Sequence, residues 1–123
     1  LFKKKKLQDV KISTVLGKDT EFKGTLIGKE SIRIDGKLEG EVITEGDIFI
    51  GEESKISANL KGRNLINAGE IYGNIEAENK VEIVSSGKIF GNVKAESIYV
   101  EEGAFLKGEV ETGKTEESEN GKI

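Results

Sequence analysis

Apolar and polar residues alternate with period two through most of the chain, and small residues punctuate the alternation at a spacing that repeats. The recurring context is apolar, any, small, any, apolar. It occurs as Phe22-Lys23-Gly24-Thr25-Leu26, Leu38-Glu39-Gly40-Glu41-Val42, Ile56-Ser57-Ala58-Asn59-Leu60, Ile71-Tyr72-Gly73-Asn74-Ile75, Ile89-Phe90-Gly91-Asn92-Val93 and Leu106-Lys107-Gly108-Glu109-Val110. The small residues of these six copies lie 16, 18, 15, 18 and 17 positions apart. Such a period is too short for helical repeats, and with strand-type alternation inside each unit it predicts one β-solenoid coil per copy.

Two further columns keep nearly fixed offsets from each copy. Two positions after the second apolar residue stand Gly28, Thr44, Gly62, Ala77, Ala95 and Thr112, all small. A second apolar strand follows as Ile32-Arg33-Ile34, Ile48-Phe49-Ile50, Ile66-Asn67-Ala68, Val81-Glu82-Ile83 and Ile98-Tyr99-Val100, and Thr14-Val15-Leu16 supplies it ahead of the first copy. Period-two alternation makes these strands half-buried, with one face inward.

Burial dictates the coiling. Each turn offers about four to six inward apolar side chains, too few to offset the ordering of roughly 17 residues at ~1–2 kcal/mol each. Stacked at about 4.8 Å, equivalent strands hydrogen-bond above and below and the apolar columns become continuous ladders. Six turns then form a rod of roughly 30 Å. The small residues Gly24, Gly40, Ala58, Gly73, Gly91 and Gly108 are the structural corners, where glycine supplies the φ a sharp bend needs. The chain has no Pro, which would delete a ladder donor wherever a strand pairs on both sides. An ordinary meander or sandwich would not share three columns at matching offsets. A left-handed hexapeptide helix is the nearer rival, since Leu16-Gly17-Lys18-Asp19-Thr20 and Ile50-Gly51-Glu52-Glu53-Ser54 resemble its units, but it holds a strict multiple of six. Handedness does not follow from these residues.

Composition removes whole classes of chemistry. The 123 residues suffice for one domain. With no Cys and no His, the chain lacks disulfides, thiolate metal sites, and the commonest general base and zinc ligand. Catalytic β-helices acting on sugars or acyl groups depend on His or on long substrate loops, and connections here are only a few residues, so the chain is expected not to be an enzyme and to need no cofactor. No phosphate-cradling loop precedes a helix, so no nucleotide is expected. A net charge of −4 argues against nucleic acid as a partner. No apolar stretch approaches the roughly 20 residues of a membrane-spanning helix.

Charge is nevertheless polarised along the chain. Residues 1–13 form a basic leader, expected to be flexible, in which Leu1, Phe2, Lys3, Lys4, Lys5, Lys6 and Leu7 join an apolar tip to four cations; this suits an anionic leaflet. Residues 113–123 form an acidic tail expected to be disordered. The solenoid is placed between them, at 14–112. Neither flank contains an amphipathic helix that would cap it, so both ends are expected to be open sheet edges with an uncovered rung of core. Coil-to-coil pairing would satisfy both. The position before each unit is Glu21, Lys37, Lys55, Glu70 and Lys88, then Phe105, an extra apolar group in the final coil. Phe105 is therefore the candidate polymer anchor, with Leu106 and Val110 beside it. At the opposite end the candidates are Leu16, Phe22 and Ile27, the last in an outward column otherwise filled by Ile43, Lys61, Glu76, Lys94 and Glu111. Asn59, Asn74 and Asn92, and beside them Tyr72 and Phe90, are expected to form surface ladders.

The repeated unit with its second apolar strand, the one-domain length, the Phe-Lys-rich leader and the charged tail together resemble the bactofilins over about Val10 to Thr112. The resemblance implies an all-β, single-domain, right-handed triangular parallel β-helix of about six coils. It also implies a bacterial cytoskeletal scaffold that assembles end to end, without nucleotide, into non-polar filaments on the inner face of the cell membrane. The partners it implies are further copies of the chain, the inner membrane surface, and proteins of the cell envelope and morphogenesis. A monomeric β-solenoid that binds envelope polysaccharide or a partner protein is the alternative.

Overall fold

In the computed structural model, which describes residues 11–113, regular structure consists of strands: β1 (Ile12–Leu16), β2 (Glu21–Gly28), β3 (Ser31–Ile34), β4 (Lys37–Thr44), β5 (Ile48–Ile50), β6 (Lys55–Asn67), β7 (Glu70–Tyr72), β8 (Ile75–Ile83), β9 (Lys88–Phe90), β10 (Val93–Ala95), β11 (Ser97–Val100), β12 (Phe105–Lys107) and β13 (Val110–Thr112). All their pairings are parallel, and they form three ladders. The first face runs through β1, β3, β5, the end of β6, the end of β8 and β11. The second runs through the start of β2, the start of β4, the start of β6, then β7, β9 and β12. The third runs through the ends of β2 and β4, the middle of β6, the start of β8, then β10 and β13. Each coil visits the three faces in turn, so six coils stack into a parallel β-solenoid of triangular section. The strand β1 opens at Ile12, two residues inside the expected leader; residues 1–10 and 114–123 lie outside the described residues.

The apolar columns are in register from end to end. One is Phe22, Leu38, Ile56, Ile71, Ile89 and Leu106. Another is Leu26, Val42, Leu60, Ile75, Val93 and Val110. Their inner members are buried, each contributing about 1.5–3 kcal/mol relative to exposure. The first face contributes Thr14, Ile32, Ile48, Leu65, Val81 and Ile98, and beside them Leu16, Ile34, Ile50, Asn67, Ile83 and Val100.

That last register corrects the sequence pattern by one residue. In the fourth coil Leu65 and Asn67 point inward, not Ile66 and Ala68; Ile66 faces out. Asn67 is 0% exposed and occupies a core position between Ile50 and Ile83. Its amide belongs there because the corner that follows is only Ala68-Gly69: Asn67 Oδ1 accepts the Gly69 N–H at 2.9 Å and Nδ2 donates to the Lys88 carbonyl at 3.4 Å. A buried amide with both ends engaged avoids the penalty of an unpaired polar group.

Corner length explains why the period drifts. Four-residue turns close on themselves through Thr20 N–H to Gly17, Ser54 N–H to Gly51, Gly87 N–H to Val84 and Ala104 N–H to Glu101. The second and fourth coils instead bend through Asp35-Gly36 and Ala68-Gly69, and these are the coils reached after 16 and 15 residues.

Glycine at the corner between the second and third faces supplies the positive φ expected of it and also keeps clear of the coil before. Gly91 has φ of +152°, and a Cβ there would lie 2.7 Å from the carbonyl carbon of Gly73 in the preceding coil, with the oxygen nearer still. Gly40, Gly73 and Gly108 meet the same carbonyl from the coil before. Ala58 is the exception: it has no positive φ, and its methyl points into the core. In the fourth, fifth and sixth coils the backbone donor after the corner is satisfied by the asparagine ladder, where Asn59 Oδ1 accepts from Asn74 N–H (3.0 Å), Asn74 from Asn92 (3.2 Å) and Asn92 from Glu109 (3.0 Å). Where the third face meets the first, buried Asp47 accepts from Arg63 Nε and Asn64 Nδ2, both at 3.1 Å. The hydrogen-bonded carboxylate pushes the Arg63 guanidinium further above its ordinary pKa.

Candidate polymer interface

The columns that run the length of the rod leave their terminal members partly uncovered. In the first coil Leu16, Phe22 and Leu26 are half-buried although the residues stacked on them are buried. In the last coil Ile98 and Leu106 are half-buried, and Val100 and Val110, which hold core positions, are 51% and 48% exposed. Among the described residues β1 and β2 pair only with the second coil, and β11 and β12 only with the fifth. Each end thus presents apolar side chains ringed by strand edges. Completing the burial of one such half-exposed Leu or Val is worth about 1 kcal/mol.

The structure brings the expected site residues together as two clusters, one at each end. Leu16 and Phe22 sit at the first rung, Leu106 and Val110 at the last. Phe105 faces outward beside them, 44% exposed. Its ring lies against Phe90 at 5.3 Å between centroids, and Phe90 stacks on Tyr72 at 4.7 Å and 5°. Phe105 therefore ends an aromatic ladder that climbs three coils to the rim. Ile27 is different: it is 71% exposed on the outer surface of the third face, paired with Ile43 rather than lying over the core. The candidate membrane residues Leu1 to Leu7 lie outside the described residues. Leu26, Ile98 and Val100 belong to the terminal rungs as much as the residues singled out from the sequence. Their signal was present, since each is the first or last member of an inward column.

An open groove runs along the third face, lined by Asn59, Asn74, Asn92, Lys61, Glu76 and Lys94 among others. Among the described residues no group of three acidic side chains is placed to hold a metal ion, and no helix is long and apolar enough to cross a membrane.

Residues 14–111 match the family model of the bactofilins, described as polymer-forming cytoskeletal. Two curated relatives come from Myxococcus xanthus. Bactofilin BacP is 30% identical over 85% of this chain and 43% of its own length, and bactofilin BacO is 29% identical over 80% of this chain and 79% of its own. The match thus spans less than half of BacP. A cryo-EM reconstruction of Thermus thermophilus bactofilin double helical filaments superposes with a TM-score of 0.76 at 33% identity, covering 81% of this chain and 99% of that one. A solenoid that matches the family model from its first coil to its last, and whose shape is that of a subunit in a filament, belongs to the bactofilin family of polymer-forming cytoskeletal proteins.

Proposed function

We propose that this chain is a non-enzymatic cytoskeletal scaffold whose solenoids stack end to end, without nucleotide, through their two open terminal rungs. One observation carries the reading: core columns run unbroken along the rod, yet their end members stay half-exposed. Joining rod to rod covers them and extends the ladders across the junction. Phe105, Leu106 and Val110 form one junction surface and Leu16 and Phe22 the other, with Ile27 at the rim of the latter. An isologous junction, last coil to last coil and first coil to first coil, makes the filament non-polar. Strands pair in twos, by likeness to the double helical filaments of the Thermus relative.

Phe105→Arg tests the junction. The variant is expected to keep the circular dichroism spectrum of the parent and to lose filaments under negative-stain electron microscopy, because burying the ring is worth about 2 kcal/mol and a cation at the rim would be desolvated. Normal filaments from the variant refute the assignment.

The leader supports attachment to the inner face of the cell membrane. Each Lys near an anionic leaflet adds about 1 kcal/mol, and a filament presents many leaders in a row. Envelope and morphogenesis proteins are the partners such a scaffold would gather. Equal co-sedimentation with anionic liposomes of the full chain and of one lacking residues 1–6 would rule the tether out.

A further inference from the structure

The outer surface of the first face carries a column that the glycine repeat does not reveal. It consists of Val15, Arg33, Phe49, Ile66, Glu82 and Tyr99, one from each coil, in unbroken register. Val15 and Tyr99 are exposed, and Phe49 and Ile66 partly so, although no core position remains for them to fill. The matching outward column of the third face ends instead in Lys61, Glu76, Lys94 and Glu111. A column on a solvent-facing sheet with apolar members at both ends and at its centre signals a contact surface.

The order of residues in this column says what the contact is. From either end it runs apolar, charged, apolar, apolar, charged, apolar, and its two charges have opposite sign. Laid against a second copy with the rod axes antiparallel, about a two-fold axis between the third and fourth coils, Val15 meets Tyr99, Arg33 meets Glu82 and Phe49 meets Ile66, each pair twice. A two-fold interface demands this self-complementarity. Parallel copies in register would set Arg33 on Arg33 and Glu82 on Glu82, a like-charge mismatch that selects against that arrangement. Arg33 is held by Asp35 through Nε at 2.8 Å and Nη2 at 3.0 Å, and Glu82 lies 3.7 Å from Lys80. Antiparallel contact therefore joins Asp35, Arg33, Glu82 and Lys80 into a row of alternating sign. The column also reaches both terminal coils, so end-to-end stacking prolongs it along a filament.

We infer that this column is the seam along which two bactofilin strands of this chain pair, antiparallel and two-fold related, with Phe49 and Ile66 at its centre. The inference rests on the filament reading above and assigns its lateral partner: a second copy of this chain. In a non-polar filament, rods of both directions occur along every strand, so an antiparallel neighbour is always available.

Charge exchange tests it. Filaments of the full chain, of Arg33→Glu, of Glu82→Arg, of the double variant and of Phe49→Glu are imaged by cryo-electron microscopy, and the share of two-stranded filaments is counted. The parent is expected to be two-stranded. Each single charge reversal and Phe49→Glu are expected to cut the paired share by about tenfold or more, with single strands intact and thermal melting unchanged. The double variant is expected to restore pairing, since Glu at position 33 then faces Arg at position 82. Paired filaments that survive Phe49→Glu overturn the seam, and failure of the double variant to rescue overturns the antiparallel arrangement. A parent that forms only single strands removes lateral pairing while leaving end-to-end assembly standing, whereas a parent that forms no filaments defeats the filament reading itself.

Discussion

Two alanine substitutions at the same corner, four coils apart, separate local backbone strain from stacking. Gly24 and Gly91 both hold φ values that favour glycine, +139° and +152°. Alanine at either costs about 1–3 kcal/mol for conformation alone. Their surroundings differ. A Cβ at Gly91 enters the space of the Gly73 carbonyl, 2.7 Å from its carbon, whereas at Gly24 the nearest atoms are those of the Phe22 ring at 3.8 Å, an ordinary contact. The carbonyl at Gly73 is backbone in the short bend between β7 and β8, both of them paired, and cannot swing aside without parting two coils. Gly91→Ala should therefore cost more than about 4 kcal/mol, and Gly24→Ala only the strain. Urea unfolding at low protein concentration measures both. In thermal unfolding Gly24→Ala is expected to melt about 4–24 °C below the parent, at roughly 4–8 °C per kcal/mol for a domain of this size. Gly91→Ala is expected to lose the cooperative transition. The first-coil methyl would also point out of the rod end, so Gly24→Ala should raise the concentration needed for filaments. Equal destabilisation by the two substitutions would refute the view that the carbonyl of the coil before dictates glycine at these corners.

Ile71→Ala removes a fully buried side chain from the middle of its column and is expected to cost about 2–5 kcal/mol in denaturant unfolding, while Leu106→Ala at the half-exposed end of the same column should cost less than half as much in the unassembled protein. Asp47→Ala leaves the Asn64 amide and the Arg63 guanidinium without their carboxylate, and is expected to lower stability by about 1–2 kcal/mol, discounted because the Arg63 side chain is 54% exposed. A change in urea midpoint of the expected sign, with an unchanged slope, checks both.

The coil number, the two apolar columns around the glycine corners and the aromatic and asparagine ladders were legible because each repeats a residue type at a fixed offset. The fourth coil was misread because an apolar filter prefers Ile66 and Ala68, whereas the backbone demands of the tight Ala68-Gly69 corner place the polar Asn67 inside. The corner glycines and their positive φ were recognised, but the steric obstacle beside them was not. Spacing reveals a small residue without revealing that the obstacle is the carbonyl of the preceding coil, a contact across 15 to 18 residues. Similarly, Phe105 stood out as one aromatic among charges, while its stacking on Phe90 depends on side-chain direction that no pattern carries. The terminal rungs were only half legible: Phe22 and Leu106 sit inside the glycine motif, but Val100 belongs to the first face, whose exposure follows from stacking order. The Val15 to Tyr99 column stayed hidden because Ile66 was read as an inward residue, and that fourth-coil slip broke its register.

The most direct test of the account is a cryo-electron microscopy reconstruction of filaments assembled from the full chain, at a resolution that separates strands. The open-rung account predicts terminal coils of adjacent subunits about 4.8 Å apart, the spacing within a rod, with Leu106 and Val110 buried against the next subunit's last coil and Leu16 and Phe22 against its first. Subunits joined through other surfaces, with a gap or a folded segment between the terminal rungs, would contradict it.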